Sequence, residues 1–330
     1  MVPLSQYQAE GDSMAEDKVI IKEGIISQSL SGFYSVRSEG QTYVTKPRGN
    51  FRHQQLKPLV GDHVTFEWEE GLDPKADQSL GRLIEVLPRR NQFIRPSVVN
   101  VDDALVVMSL VEPDFSYSLV DQFLASVTSH GIEPHLVLTK YDLLLAQEGE
   151  EQAQDRVAQI QALYEAAGYT VTVMDPASDA LANLSQLLHQ GLYVVMGQSG
   201  VGKSTLLNQL LPHADIETGE ISQYLGRGRH TTREVTLYPL NQALIADTPG
   251  FSALDFEQIE KEQVTQLFPE IQELSQECRF RSCLHLEEPG CAVKQALEAG
   301  SLAASRYQSY CQLVQKIDQR KPQYHLKKRR

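Results

Sequence analysis

The stretch GQSGVGKST, residues 197–205, constrains the fold of this chain more than any other feature. It satisfies the phosphate-loop pattern G-x-x-x-x-G-K-[ST]; an apolar run, LYVVM, leads into it and a helical segment follows. Glycines let backbone N–H groups point at phosphate oxygens, and the helix N-terminus adds partial positive charge. We predict a nucleoside triphosphate site in which Lys203 reaches the β- and γ-phosphates and Ser204 ligates Mg²⁺. The predicted nucleotide-binding residues of the loop are Gly197, Gln198, Ser199, Gly200, Val201, Gly202, Lys203, Ser204 and Thr205.

A second part of the nucleotide site is predicted in ALIADTPGF, residues 243–251, an apolar strand that ends in Asp247. A carboxylate at this position beside a phosphate loop usually holds Mg²⁺, and the N–H of Gly250 is expected to approach the γ-phosphate. Between the two segments, the glycine-containing stretch YLGRGRHTTREV predicts a mobile loop. Of its two adjacent threonines, we favour Thr232 as a further Mg²⁺ ligand.

The base-reading element is predicted at HLVLTKYD, residues 135–142, where a strand ends in Thr139, Lys140 and Asp142. A carboxylate accepts hydrogen bonds from both N1–H and the exocyclic amine of guanine, a donor pair that adenine lacks. The stem of Lys140 is expected to lie over the base. GTPases usually carry Asn where this chain has Thr139, which lowers the expected affinity for the base.

The order of these segments is itself a prediction about the fold. Ordinary GTPases run from phosphate loop to switch segments to base reader, whereas here the base reader comes first. Apolar runs such as ALVVMSL alternate with helical stretches, which predicts a parallel α/β sheet covered on both faces. We therefore predict a circularly permuted P-loop GTPase domain over residues 96–262. Such a rearrangement is feasible because domain termini often lie close together.

Residues 19–95 predict a small β-barrel. Short Val-, Ile-, Tyr- and Phe-rich segments separated by glycines suggest about five strands, which fits an OB-fold that binds RNA. Basic residues near Phe51 would supply phosphate contacts, with that ring stacking on a base; they are Arg48, Arg52, His53 and Lys57. A plain barrel with an ordinary polar loop is the alternative. The acidic, polar residues 1–18 are predicted to be a disordered lead-in.

A metal site is predicted from Cys278, Cys283, His285 and Cys291, which lie within 14 residues of one another. Three thiolates and one imidazole form a closed donor set that suits one structural, tetrahedral Zn²⁺. The alternative is that the thiols merely pack in a core. We assign residues 263–330 to a mainly α-helical zinc-binding domain with a basic tail. Arg279 and Arg281, between the first ligands, would face RNA phosphates.

The charge distribution and the apolar runs narrow the class of protein. The net charge is −13, yet the barrel region and the C-terminal tail are basic, which is compatible with nucleic-acid contact at both ends. The longest apolar runs are far below the roughly 20 residues that a membrane span needs. The polar N-terminus does not resemble a secretory signal. These observations predict a cytoplasmic protein without membrane contact, and we expect a monomer.

In combination, these segments resemble the RsgA family (also YjeQ or YloQ) of circularly permuted ribosome-assembly GTPases. The resemblance covers nearly all of the chain past residue 18 and includes RGNFRHQQLKPLVGDHV, TKYD, GQSGVGKST, GRGRHTT, DTPGF and the Cys/His cluster. It implies an N-terminal OB-fold, a permuted GTPase domain and a C-terminal zinc-binding domain. It also implies binding of GTP and GDP, of the small ribosomal subunit and of its rRNA, with hydrolysis accelerated by that subunit during late maturation.

Two features depart from the commoner GTPase pattern. Phe251 follows D-x-x-G where Ras-like enzymes carry a water-orienting Gln. We name His230 as the candidate catalytic residue, the alternative being an RNA-facing or structural histidine. The fifth GTPase motif is expected in VTVMDPASDALANL but is not located. The alternative function is an RNA-binding assembly module in which guanine nucleotide is mainly a structural or regulatory ligand.

Overall fold

The fold is described from a computed structural model, which covers residues 18–49, 51, 56–74, 76, 79–94, 97–212, 235–247, 254, 256 and 258–320. His230, Thr232, Gly250 and Phe251, together with Arg52 and His53, lie outside these described residues, as do residues 1–17 and the basic tail from residue 321. Within the described ranges, no helix is long and apolar enough to cross a membrane.

The N-terminal part of the described chain is a closed five-stranded barrel, which confirms the predicted β-barrel. Its strands are β1 (Val19–Leu30), β2 (Phe33–Ser38), β3 (Gln41–Pro47), β4 (His63–Glu69) and β5 (Gly81–Val86). They follow the order β1-β2-β3-β5-β4, and the β1–β4 pairing closes the barrel. Strand alternation explains the core, because every second residue of β4, such as Phe66 and Trp68, points inward.

A two-stranded connection leads from the barrel to the second sheet. It consists of β6 (Gln92–Phe93) and β7 (Val98–Val99). The buried Asn100 side chain joins the two parts, because its amide donates to the Gly61 carbonyl at 3.0 Å and its oxygen accepts from the Arg90 N–H at 2.8 Å. The barrel and the following sheet are therefore packed against each other over one shared apolar core.

The central sheet confirms the predicted α/β architecture. Its strands are β8 (Asp103–Ser109), β9 (Glu133–Thr139), β10 (Thr170–Val173), β11 (Gln190–Met196), β12 (Thr236–Leu240) and β13 (Gln242–Asp247), in the order β10-β9-β8-β11-β13-β12. All are parallel to their neighbours except β12, which is antiparallel to β13. Strands β8 and β11 are almost wholly buried, as expected of a sheet covered on both faces.

Helices cover the sheet between the strands. They are α1 (Tyr117–Thr128), α2 (Tyr141–Glu148), α3 (Glu150–Ala166), α4 (Ala180–Leu187) and α5 (Lys203–Leu210). Helix α1 begins at the N-cap Ser116, whose side chain accepts from the Leu119 N–H, and buries Val120, Phe123 and Leu124. These residues recur at helical spacing and pack on the core of the sheet domain, whereas Asp121 and Ala125 of the same helix are buried toward the C-terminal part.

The C-terminal part of the described chain is mainly helical, as predicted. A short 3₁₀ helix (Lys261–Leu267) precedes α6 (Pro269–Ser275), α7 (Ala292–Glu298) and α8 (Ala304–Asp318). These elements share an apolar core that includes Phe268, Tyr310 and Val314, and Ala125 of α1 contributes to it. The C-terminal part thus rests on the sheet domain through α1.

Candidate functional site

The phosphate loop connects β11 to α5, as its sequence predicts. Gly197 follows directly on β11 with φ 145°, and a Cβ there would lie 2.1 Å from the Val107 carbonyl oxygen. Gly202, the residue before α5, has φ 94°, in the left-handed region. Both conformations require glycine, so the two motif glycines allow a tight backbone turn at the start of a helix. Backbone N–H groups at such a turn form an anion-binding concavity.

Lys203 lies at the start of α5 and folds back over the loop. Its ammonium donates to the carbonyl oxygens of Gly197 and Gln198, each at 2.7 Å. Burial lowers the pKa of Lys203 to about 8, while the Asp247 carboxylate opposes that shift. A polyanion beside Lys203 would favour its charged form, which is the chemistry that phosphate binding needs.

Asp247 lies at the end of β13, the strand next to β11. Burial raises the pKa of this carboxyl, and the charge of Lys203 opposes the shift. The two predicted residues are therefore brought to the same part of the sheet although 44 positions separate them along the chain. A half-buried carboxylate opposite an ammonium is suited to holding a divalent cation near bound phosphates.

Thr139 ends β9 and is buried. Its hydroxyl lies 2.5 Å from the Val201 carbonyl oxygen and 3.2 Å from that of Met108. A hydroxyl has one proton, so the shorter contact takes the donated hydrogen bond. Thr139 therefore attaches the phosphate loop to the end of β9, a contact that the sequence did not predict.

Lys140 and Asp142 follow Thr139 at the start of α2. Lys140 has a left-handed backbone, φ 61°, and its ammonium donates to the Glu112 carbonyl. The Glu112 carboxylate in turn accepts from the side chain of Gln147 at 3.0 Å. Asp142 is exposed in the first turn of α2. The carboxylate that would bond guanine is thus accessible at the sheet edge.

The segment VTVMDPASDALANL, in which the fifth GTPase motif is expected, begins in strand β10 and continues into a turn. Strand β10 pairs in parallel with β9, and the Met174 N–H continues this pairing by donating to the Leu138 carbonyl oxygen at 2.7 Å. The next turn is held by the Asp175 carboxylate, which accepts from the Ala177 N–H at 2.9 Å. This turn lies beside the end of the Thr139 strand because carboxyl ends of parallel strands share one edge.

The predicted metal ligands Cys278, Cys283, His285 and Cys291 converge, and their ligand atoms all lie within 4.8 Å of one another. The Cys278 and Cys291 sulfurs are 3.9 Å apart, and His285 Nδ1 lies 3.6 Å and 3.4 Å from them. Zn–S bonds of about 2.3 Å and Zn–N bonds of about 2.0 Å at tetrahedral angles imply S···S of about 3.8 Å and S···N of about 3.5 Å. The donor set therefore fits a four-coordinate metal bound through Nδ1.

Hydrogen bonds from three side chains to backbone groups hold the segment that contains His285 in its conformation. The Glu288 carboxylate accepts from the N–H groups of Leu284, Leu286 and Glu287 at 2.8, 2.9 and 3.1 Å. From α8, the Tyr307 hydroxyl donates to the His285 carbonyl at 2.7 Å. The Tyr310 hydroxyl donates to the Leu284 carbonyl at 2.9 Å. Sequence reasoning missed these three side chains, since each acts on a neighbour's backbone and carries no metal-ligand pattern.

A buried ion cluster joins the helical C-terminal part to the sheet domain. Arg306 of α8 is 1% exposed and donates to Asp121 of α1 and to Glu270 of α6, each at 2.6 Å. The Tyr164 hydroxyl donates to the same Asp121 oxygen at 2.9 Å. A buried charge needs such partners, so the C-terminal part is docked in one defined orientation on α1.

The predicted stacking role of Phe51 is wrong. Its ring is only 5% exposed and belongs to the core shared by the barrel and the sheet. Of the basic residues named with it, Arg48 is paired with Glu67, and Lys57 is exposed. The basic sequence around Phe51 suggested an exposed ring, whereas long-range packing buries it.

Comparisons with known proteins agree with this arrangement. A family model described as RsgA GTPase matches residues 86–257, and one described as RsgA N-terminal domain matches residues 23–73. A relative from Enterococcus faecalis, named "Small ribosomal subunit biogenesis GTPase RsgA", is 47% identical over 93% of this chain and 99% of its own. One of the same name from Limosilactobacillus fermentum is 47% identical over 92% of this chain and 99% of its own.

Two solved structures have the same overall fold. The crystal structure of YloQ, titled a circularly permuted GTPase, is 38% identical, covers 92% of this chain and 98% of its own, and gives a TM-score of 0.76. YjeQ from Thermotoga maritima is 30% identical, covers 92% of this chain and 100% of its own, and gives 0.75. The permuted order of the strands is therefore shared with solved relatives.

Proposed function

The chain belongs to the RsgA family of GTPases, and from that premise we propose that it hydrolyses GTP on the small ribosomal subunit during late maturation. Curated relatives carry the name of small ribosomal subunit biogenesis GTPases. We further propose that the subunit stimulates hydrolysis. The partners are then GTP, GDP, the small subunit and its rRNA, and the protein acts as a cytoplasmic monomer.

The observation that carries this proposal is convergence at one edge of the parallel sheet. Lys203 follows β11, Asp247 ends β13 and Asp142 follows β9. Ligands of open α/β sheets bind at the carboxyl ends of the strands. Groups suited to phosphates, to a cation and to guanine thus share that edge, in spite of their unusual order along the chain.

The phosphates would be bound by the residues of the loop and the start of α5. Backbone N–H groups from Gly197 to Thr205 surround the phosphate chain, and Lys203 neutralises charge that develops on the γ-phosphate. Ser204, Thr232 and Asp247 would hold Mg²⁺, which would neutralise negative charge on the phosphates. The N–H of Gly250 would contact the γ-phosphate and so report its presence.

Guanine would be read at the end of β9. Asp142 is exposed there and is proposed to accept from N1–H and the exocyclic amine, with the stem of Lys140 lying over the base. Thr139 contributes through its bond to Val201, which keeps the loop and the base reader at a constant separation. Affinity for the nucleotide would then depend on Thr139, and selectivity for guanine would depend on Asp142.

The attacking water is proposed to be oriented by His230, because Phe251 occupies the position of the usual Gln and has no polar group. Hydrolysis by the isolated protein is expected to be slow, and contact with the subunit is expected to place His230. Removal of the imidazole in His230→Ala should therefore abolish the stimulated rate and leave nucleotide affinity unchanged.

Zinc is proposed as a structural ion held by Cys278, Cys283, His285 and Cys291. Four protein donors leave no open position for a catalytic water, so the ion would stabilise the segment. We assign rRNA contact to the residues displayed by this segment, including Arg279 and Arg281, and to the barrel. The working domain limits are residues 19–95, 96–262 and 263–330.

The test is GTP turnover with and without isolated small subunits. We expect stimulation by the subunit, loss of turnover in Lys203→Ala, and a loss of preference for GDP over IDP in Asp142→Asn. A lack of stimulation, together with Lys203→Ala that still supports subunit maturation, would overturn the proposal in favour of an RNA-binding assembly module.

A further inference from the structure

The outer face of the barrel carries an exposed aromatic ring and two cations in a line across adjacent strands. Phe33 of β2 is 40% exposed, and the Lys46 ammonium of β3 lies 5.4 Å from the centroid of its ring. The β3–β5 register pairs Lys46 with Arg82. The three side chains thus form a row across three adjacent strands, which we call the Phe33 row.

Strand register makes the Phe33 row point outward. Tyr34 pairs with Thr45, and both are buried, so their neighbours Phe33 and Lys46 lie opposite each other on the outer face. The Arg82 side chain is 64% exposed even though it lies 3.8 Å from the Glu67 carboxylate. The row is therefore built by the barrel and accessible from solvent.

An exposed ring with adjacent cations matches a particular ligand chemistry. The ring offers an apolar face on which a flat heterocycle can stack, and the cations, which both lie on its β3 side, attract the neighbouring phosphate groups. The face of strands β2 and β3 is also where barrels of this kind bind oligonucleotides. Charge and shape therefore both favour a nucleic acid over an apolar protein surface.

We propose that the Phe33 row binds an unpaired nucleotide of RNA, with the base stacked on Phe33 and the neighbouring phosphates on Lys46 and Arg82. Bases inside a duplex are already stacked and their faces are inaccessible, so the ligand is single-stranded. This inference rests on the proposed function, because the RNA would belong to the small subunit. It places the stacking ring on the strand face and not at the buried Phe51.

The experiment measures binding of a fluorescein-labelled 12-nucleotide single-stranded RNA and of its duplex by the full-length, zinc-loaded chain, using fluorescence anisotropy. Phe33→Ala should weaken single-strand binding about tenfold, within the range for loss of one stacked base. Phe33→Trp should retain binding. Lys46→Gln should reduce the slope of log affinity against log salt by about 0.7.

Ile21→Ala is the matched control, because Ile21 is 70% exposed on the same barrel but lies outside the row. Thermal melting checks that each variant folds. The chain has one tryptophan, Trp68, which is 3% exposed, so quenching of a Trp introduced by Phe33→Trp reports stacking directly.

Equal losses in Phe33→Ala and Ile21→Ala, equal affinity for duplex and single strand, or no binding of single-stranded RNA would each overturn the inference. If small subunits still stimulate the wild-type chain when any of these results is found, the proposed function remains intact. The partner of the Phe33 row would then be a protein surface. Loss of RNA binding in Phe33→Ala without subunit stimulation of the wild-type chain would refute the proposed function alone.

Discussion

Replacement of Thr139 by Val tests whether this residue acts on the nucleotide through the phosphate loop. Valine keeps the shape of the side chain and removes the hydroxyl that lies 2.5 Å from the Val201 carbonyl oxygen. Because Thr139 is buried, that carbonyl is left without its donor, which costs about 1–3 kcal/mol. Because about 1.4 kcal/mol changes an equilibrium constant tenfold, this total free-energy cost corresponds to a factor of about 5 to 150 in an equilibrium constant.

The free-energy cost of Thr139→Val is divided between the stability of the free protein and its affinity for nucleotide, and both can be measured. In the free protein the loop can relax toward water, whereas bound nucleotide holds it in place. The loss of stability in the free protein plus the loss of GDP affinity should therefore sum to about 1–3 kcal/mol. Urea denaturation gives the first quantity, and titration with a fluorescent GDP analogue gives the second.

Controls separate this explanation from direct contact with the base. Thr139→Ser keeps the hydroxyl and should retain affinity. Thr172→Val removes a threonine bond to His135 in the same sheet, so it should lower stability without changing GDP affinity. If Thr139 acts through the loop, Thr139→Val weakens GDP and IDP equally. A selective loss of GDP binding, or no change in affinity and stability, would refute the reasoning.

Three further predictions concern the metal, the domain contact and pH. Cys283→Ser should reduce bound zinc below one ion per chain, as measured by atomic emission, and lower the melting temperature, since structural zinc sites contribute directly to folding; unchanged zinc content would contradict the ligand assignment. Arg306→Met should destabilise the protein by about 3–5 kcal/mol in urea denaturation, because two carboxylates lose their buried partner; a loss below about 1 kcal/mol would show that the cluster is solvated. Burial raises the pKa of Asp103 to about 6, above its usual 3.8. Stability should therefore fall as pH rises from about 4 to about 6, and Asp103→Asn should be more stable than wild type at pH 7 but not at pH 4; equal stability of the two proteins at both values would contradict the shift.

Local sequence patterns were enough to predict most of the strands and helices. Buried parallel strands such as β8 and β11 are continuous apolar runs, and GQSGVGKST contains both the glycines and the helix start that its turn requires. No strand was predicted at β12, which contains Pro239, a residue type that usually argues against a strand. It is accommodated at the antiparallel edge of the GTPase sheet, where β12 also pairs with β1 of the barrel through Gln28 and Thr236.

The four residues that converge at the candidate metal site were all predicted from the sequence, whereas the groups that surround them were not. The spacing of the three cysteines and His285 is a local property, so the sequence displays it directly. Glu288, Tyr307 and Tyr310 act through backbone carbonyl and N–H groups, and any polar residue nearby would fit the sequence equally well. The Phe51 prediction was wrong for a related reason, because burial of a single ring depends on distant elements.

The sequence by itself determined which groups the chain offers: a phosphate-loop pattern, the Asp247 carboxylate, the predicted base-reading residues Thr139–Asp142 and a cluster of three cysteines and one histidine. Only the tertiary structure decided which of these groups meet. Thr139 bonds a residue 62 positions away, and Arg306 bonds one 185 positions away. Short-range patterns are set by the backbone of a few residues, whereas such contacts depend on how the whole chain packs. Circular permutation changes the order of segments without changing that packing, which is why GQSGVGKST meets the segment TKYD that precedes it in the chain.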